Sequence, residues 1–319
     1  MSIVTRRFMT WPFRLRPERI AVIAAYAATV GIWGTTWLAI RVSVNAIPPV
    51  TGVGLRFVIA GAVLYAAALA LGVDVRRNRP PLLAIALLAF TMFGLNYVLT
   101  YAAEMHLASG LVAVLYGTLP FFVFGFAHRM LGERVTRTTI VGTLLALTGV
   151  AVIFLAGNLQ ADALYVGAAL VATAFSAFAN VYLKRLADFD PFATLPPAML
   201  LAGVLLTAGG IAFEHVSWQL AVSPASLLAL LYLAVLGSAV AFYLNHWLLQ
   251  RIDSGTFGLS ALMIPVLAVG VGIALGGERF AQRDLIGGLL VLTGMWFALR
   301  RSTVEKSQAK IEWEPERAA

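Results

Sequence analysis

The sequence predicts an all-α integral membrane protein with ten transmembrane helices arranged as two inverted repeats of five. Three observations carry that expectation. Of 319 residues, 61% are hydrophobic and only 12% charged, against about 25% charged in an average soluble domain, so polar side chains are too few to coat a globule of this size. Ten apolar runs of spanning length follow one another with short connections. The later part of the chain also repeats the earlier part at a spacing of 145 residues.

A helix rising 1.5 Å per residue crosses a hydrocarbon core of roughly 30 Å in about 20 residues. The first such run, Ile20–Ile40, follows a segment holding Arg6, Arg7, Arg14, Arg16 and Arg19. The second is Val50–Leu71, ending before Arg76, Arg77 and Arg79, and the third is Leu82–Ala103. Leu107–Ala127, the fourth, has Pro120 inside it, and Arg129, Arg134 and Arg137 separate it from the fifth, Thr138–Ala156. Ala163–Leu183 ends on Lys184-Arg185, and Leu195–Phe213 is the seventh. The eighth, Ser226–Leu249, lies in a charge-free stretch and starts after Pro224. Phe257–Leu275, with Pro265 inside, and the short Leu285–Leu299 complete the set. The chain thus divides into a segment 1–19, a first five-helix repeat over 20–157, a second over 158–300, and a tail 301–319 that reads as solvated and disordered.

Lysine and arginine are retained on the cytoplasmic side. With the N-terminus inside, 19 of the 23 cations fall in cytoplasmic segments; Arg279 and Arg283 fall in an outer loop, and Arg41 and Arg56 at or within spans. Both termini are therefore expected in the cytoplasm. The pair Arg6-Arg7 imitates a twin-arginine export signal, but the apolar run after it is too long for a signal peptide and nine more spans follow.

Shifted by 145 residues, Ser109-Gly110 falls on Ser254-Gly255, Pro120 on Pro265, Gly132-Glu133-Arg134 on Gly277-Glu278-Arg279, and Gly142 and Gly149 on Gly287 and Gly294. From 109 to 149 there are 13 identities in 41 positions without a gap, against roughly one in ten for so biased a composition. Five spans per copy is an odd number, so the second copy must enter the membrane inverted. Inverted pairs are suited to alternating access about a site near the midplane.

These features, together with Leu55-Arg56-Phe57 early in the second span, resemble the EamA-type branch of the drug/metabolite transporter superfamily, over essentially Ile20 to Arg300. The resemblance implies secondary transport of small metabolites, often amino-acid export, across the inner membrane of a bacterial cell. It also implies a cavity lined mainly by the first, third and fourth helices of each half.

Helical spacing puts Trp33, Trp37 and Arg41 on one stripe of the first helix and Ser176, Asn180 and Lys184 on the corresponding stripe of the sixth. The third helix carries Asn96, Thr100 and Glu104 in one series and Tyr97 and Tyr101 in the next, a polar and aromatic face expected to look into the cavity. Tyr116 of the fourth helix is added to that lining. In the eighth helix the twins of Thr100 and Tyr101 are Asn245 and His246, with Tyr243 one turn away; His246 is the best candidate for proton sensitivity. The candidate substrate-binding set is thus Trp33, Trp37, Asn96, Tyr97, Thr100, Tyr101, Tyr116, Asn180, Tyr243 and His246. Arg56 within the second span needs a partner, and Glu104 at similar depth is expected to pair with it as a structural tie or an outer gate. Glu133 and Glu278, each after a glycine, read as structural caps or hinges.

Several chemistries are excluded. Cysteine is absent, and none of the three lysines, Lys184, Lys306 and Lys310, sits in a P-loop. All six aspartates fall in loops or at span ends, and no set of His, Glu and Asp has zinc spacing. The expectation is a carrier and not an enzyme, needing no cofactor or metal. Its partners are a small-molecule substrate and the bilayer, not nucleic acid, and a monomer suffices. Export of drugs or nucleoside-like metabolites remains an alternative, with a lipid-modifying membrane enzyme as a remote one.

Overall fold

The structure is a computed structural model that describes residues 17–76, 79–131, 137–155, 161–186, 188–251 and 260–313, all helix or connection with no strand among them. In chain order we label α1 (Pro17–Val44), α2 (Pro49–Ala70), α3 (Leu82–Glu104), α4 (Ser109–Tyr116 and Leu119–Leu131, joined by a turn at Gly117 and Thr118), α5 (Arg137–Leu155) and α6 (Ala161–Arg185). There follow α7 (Pro191–Phe213), α8 (Pro224–Leu249), α9 (Ser260–Ala274) and α10 (Gln282–Trp313), with a single helical turn, Trp218–Ala221, ahead of α8. Seven helices among the described residues are long and apolar enough to cross a membrane: α1 from Arg19, α2, α3, α4 as far as Met130, α6 from Ala163, α7 and α8. Shorter apolar stretches lie in α5 (Ile140–Val152) and α9 (Met263–Ala274).

Local chemistry sets the ends of these helices. Proline opens α2, α7 and α8, where its missing N–H is no loss. The Asp190 side chain accepts from Phe192 N at 2.8 Å to cap α7. α2 stops at Gly72, whose φ of +68° suits a residue without Cβ, while Val73 N returns to Ala68 O at 2.9 Å. Beyond Arg301 the expectation of disorder is corrected: α10 continues as helix to Trp313, consistent with a stretch that holds no Gly or Pro and several strong helix formers.

Two corresponding pairs of the two halves, α2 with α7 and α5 with α10, pack side by side and antiparallel, and glycine sets their spacing. In α2 and α7, Gly54 lies against Thr207, Gly61 against Leu200, Gly203 against Val58 and Gly210 against Thr51. In α5 and α10, Gly149 lies against Gly287 and Val291, and Gly294 against Gly142 and Ala146. Numbers rise on one helix as they fall on the other, and each contact has a counterpart with the partners exchanged, as an inverted duplication requires. The outer flanks of this second pair remain apolar and exposed at Leu144, Leu147, Leu285 and Leu289, the surface a lipid-facing helix presents.

The duplication also survives in a backbone irregularity. α3 is π-helical over Ala89–Leu95 and α8 over Val235–Val240, positions that coincide, within one residue, at the 145-residue spacing. A π segment replaces the regular i→i−4 ladder with i→i−5 bonds and marks an irregularity that is often found at functional sites. These two segments face each other across the main buried cluster, which contains Phe57, Phe93 and Phe242.

Candidate substrate site

Aromatic side chains from both halves converge between the π segments. Phe57 of α2 lies 5.0 Å from Phe93 and 4.9 Å from Tyr97 of α3, and Phe242 of α8 stands 5.2 Å from Phe93 and 5.7 Å from Trp33 of α1, centroid to centroid. Their tilted and edge-on arrangement is the favoured one for aromatic pairs. Arg56 lies within this group, 1% exposed, its guanidinium carbon 4.5 Å from the centre of the Tyr97 ring, a cation–π contact.

The hydrogen bonds of Arg56 link the halves. Nε donates to Ser238 Oγ at 2.7 Å, one terminal nitrogen to Gly237 O at 3.2 Å and the other to Tyr101 Oη at 3.4 Å. Gly237 O is a carbonyl of the α8 π segment. Its equivalent in α3 is Met92 O, which accepts from Asn96 Nδ2 at 3.1 Å. The same π-segment carbonyl is thus met by a neutral amide in one half and by a guanidinium in the other.

A second polar group adjoins this one. The Tyr116 hydroxyl donates to Asn96 Oδ1 and shares a hydrogen bond with Thr100 Oγ1 at 2.7 Å, while Thr100 Oγ1 also donates to Asn96 O at 2.8 Å. Trp37 closes over Tyr116 with ring centroids 4.9 Å apart. The indole N–H groups of Trp33 and Trp37 are buried with no acceptor. Asn96, Thr100 and Tyr101 are all nearly inaccessible, while Trp33, Tyr97 and Tyr116 are half-buried.

Seven of the ten expected lining residues, Trp33, Trp37, Asn96, Tyr97, Thr100, Tyr101 and Tyr116, therefore come together here. Of the other three, Tyr243 packs against the same buried cluster as Trp33 and Tyr97. Asn180 turns its amide back to Ser176 O at 2.8 Å, and Tyr243 packs on Phe192 with centroids 4.9 Å apart. His246, expected well inside a span, lies in the last turn of α8 beside the Phe189 backbone and Asp190. The residues missed by sequence reasoning are Phe93, Phe242, Gly237 and Ser238; for Gly237 and Ser238 the 145-residue spacing that places them opposite Met92 and Phe93 was the available signal.

The expected pairing of Arg56 with Glu104 is also corrected. Tyr101, one turn before Glu104, intercepts the guanidinium, and both Glu104 carboxylate oxygens are buried without a hydrogen-bond partner. It is Arg41 that reaches Glu104, through the backbone: its NH1 donates to Glu104 O at 2.5 Å and Leu107 O at 2.6 Å, tying the end of α1 to the end of α3. At this same end of the bundle Glu278 accepts from Ser109 N at 2.9 Å, Ser109 Oγ at 2.5 Å and Gly110 N at 3.3 Å, capping the first turn of α4 from beyond α9. Gly277, with φ +62°, makes the turn that sends Glu278 back, and the missing Cβ of Gly272 leaves room for its carboxylate. Glu214 likewise caps α2, accepting from Val50 N at 2.9 Å and Thr51 N at 2.8 Å. Both acids act as caps, but of helices remote in sequence. Gly132, Glu133 and Arg134 lie outside the described residues.

A furrow beside α1 and α9, lined by Val30, Met263, Val266, Leu267 and Gly270, is apolar and separate from this cluster. Among the described residues no group of His, Asp and Glu is placed to hold a metal ion.

Comparison with known proteins gives the same picture from sequence. The model of the EamA-like transporter family matches residues 19–155 and again 163–300. The "Uncharacterized inner membrane transporter YedA" of Escherichia coli strain K12 is 30% identical over 282 residues, covering 86% of this chain and 89% of that protein. The "Probable terminal-alkyne amino-acid exporter" of Streptantibioticus cattleyicolor is 30% identical over 291 residues, covering 89% and 95%. A solved crystal structure superposes with a TM-score of 0.68 at 23% identity, over 87% of this chain and 97% of that one, a likeness of fold.

Proposed function

The chain belongs to the EamA-like transporter family, and from that premise we propose that it is a secondary transporter moving small metabolites, foremost amino acids, outward across the cytoplasmic membrane by alternating access. The observation that carries this reading is the placement of the polar and aromatic cluster: it lies between two copies of one unit, and Arg56 of the first copy is bonded to Ser238 and Gly237 of the second. A site on such a seam is exposed when the copies part on either side. In this reading ten helices span the membrane with both termini in the cytoplasm, so the end held by Arg41 and Glu278 is the outer one. Opening outward breaks the Arg41 bonds to the Glu104 and Leu107 carbonyls.

Trp33, Trp37, Asn96, Tyr97, Thr100, Tyr101 and Tyr116 line the path, the two indole N–H groups being donors that a substrate could engage. Amino acids lead because a relative is named for their export. Aromatic side chains at the cluster, Trp33 and Tyr97 among them, offer faces to an aromatic solute, and aromatic drugs or nucleoside-like metabolites are the second reading.

Counterflow in proteoliposomes tests the proposal. Vesicles loaded with one unlabelled amino acid at a time should accumulate its labelled form transiently and saturably. Linear, non-saturating flux would indicate a channel, and covalent change of the substrate an enzyme; either result refutes the carrier.

A further inference from the structure

We propose that Arg56 is the docking point for a carboxylate on the transported molecule, so that the site selects small carboxylate-bearing metabolites. The inference rests on the transporter reading for what the site is used for, but its chemistry stands on the geometry of Arg56 itself.

Arg56 is the fully buried cation of the cluster, and no carboxylate of the described residues pairs with it. Its acceptors are a hydroxyl, a phenol and a backbone carbonyl, all neutral. A guanidinium in a medium of low polarity is costly without an anion, and the nearest acid on α3, Glu104, lies beyond Tyr101 and is not bonded to it. The second copy of the unit has no equivalent of this charge. In α3 the equivalent π-segment carbonyl is satisfied by the neutral amide of Asn96, while the position in α8 that matches Asn96 is Ala241. Moreover, the 149-residue spacing that pairs Gly54 with Gly203 and Gly61 with Gly210 relates Arg56 to Leu205, which is 64% exposed. The second copy of the unit carries an exposed leucine at this position.

The unused part of the guanidinium has the shape of a carboxylate receptor. Of five N–H groups three are engaged, leaving one on each terminal nitrogen. Free N–H groups on both terminal nitrogens of a guanidinium can meet the two oxygens of a carboxylate. The plane is held from moving by the Tyr97 ring and by Ser238, so little ordering remains for binding to impose. Beside it the uncharged Tyr116, Asn96 and Thr100 group can meet the remaining polar atoms of a substrate, and Phe57, Phe93 and Phe242 an apolar side chain.

The test compares each acid with its own amide. The full-length chain in lipid nanodiscs is heated with the twenty protein amino acids, acetate and succinate, each against the matched carboxamide, and the same compounds are run in proteoliposome counterflow. At least one acid should raise the unfolding midpoint where its amide does not. Arg56→Gln should weaken that acid's half-saturating concentration about ten-fold or more and erase the acid-over-amide preference, while Arg56→Lys keeps the preference at reduced affinity. A wild-type protein that treats acids and amides alike, or an Arg56→Gln variant that still prefers the acid, overturns the proposal. Should Arg56→Gln fail to fold, the wild-type comparison and Arg56→Lys decide. Acid-specific stabilisation without counterflow would keep the docking point and remove the transporter reading; equal counterflow of acid and amide would do the opposite.

Discussion

The α5–α10 seam offers a quantitative check on the duplication, because two separate glycines there should respond as one. A methyl group built at Gly149 would stand 2.8 Å from Val291 N and 2.9 Å from Leu290 Cβ; at Gly294 it would stand 2.7 Å from Ala146 N and 3.0 Å from Ala146 Cβ. Carbon and nitrogen in ordinary contact are about 3.5 Å apart, so the helices must separate by well over half an ångström in either case. Overpacking of this kind costs about 1–3 kcal/mol, and the upper part of that range applies because backbone, which cannot change rotamer, is the obstacle on both sides. Gly149→Ala and Gly294→Ala should therefore each lower stability by about 2–3 kcal/mol, with matching effects. The assay is thermal unfolding of the purified protein in nanodiscs, followed by tryptophan fluorescence, with Gly125→Ala, which has open space around it, as the control. Equal stability of the two variants and wild type would refute the packing. A large loss in one with none in the other would refute the symmetry.

Four further outcomes follow from the site and the caps. Asn96→Ala and Tyr101→Ala should lower counterflow several-fold with folded protein retained, and unchanged flux in both removes the α3 face from the path. Exchanging the charges, Arg56→Glu with Glu104→Arg, should be no more stable than Arg56→Glu alone, since Tyr101 separates the two; rescue in the double variant would restore the ion pair. Glu278→Ala leaves Ser109 N, Ser109 Oγ and Gly110 N without their acceptor and should cost about 3 kcal/mol in the unfolding measurement, whereas no loss would show that the cap is replaceable. Tyr116→Phe, which deletes the hydroxyl shared by Asn96 and Thr100, should reduce transport more than stability; the reverse order would make this bond structural.

Several features were legible in the sequence because they are local or periodic. The length of an apolar run states whether a helix can cross a bilayer, and an i, i+4 series states which side chains share a face. The stripe of Asn96, Thr100, Tyr97 and Tyr101 could be recognised on those grounds, and so could the duplication, since Gly142, Gly149, Gly287 and Gly294 kept their spacing. Even the glycines' role in close approach followed from their lack of a side chain.

Partner choice was not legible, because it depends on which surfaces meet across long stretches of chain. Depth in the membrane suggested Glu104 for Arg56, but rotation about the helix axis directs the guanidinium to Ser238, 182 residues away. Glu278 could be recognised as a cap without revealing that it caps α4, 169 residues earlier. His246 could be counted into a span but not assigned to the α7 side of its helix. The π segments depend on hydrogen bonding along α3 and α8 and leave no mark in composition, and only folding shows that equivalent carbonyls within them are met by Asn96 in one copy and Arg56 in the other. The sequence determines which helices exist and that they come twice; the packing of one copy against the other decides which side chains face each other, and with them the chemistry of the site.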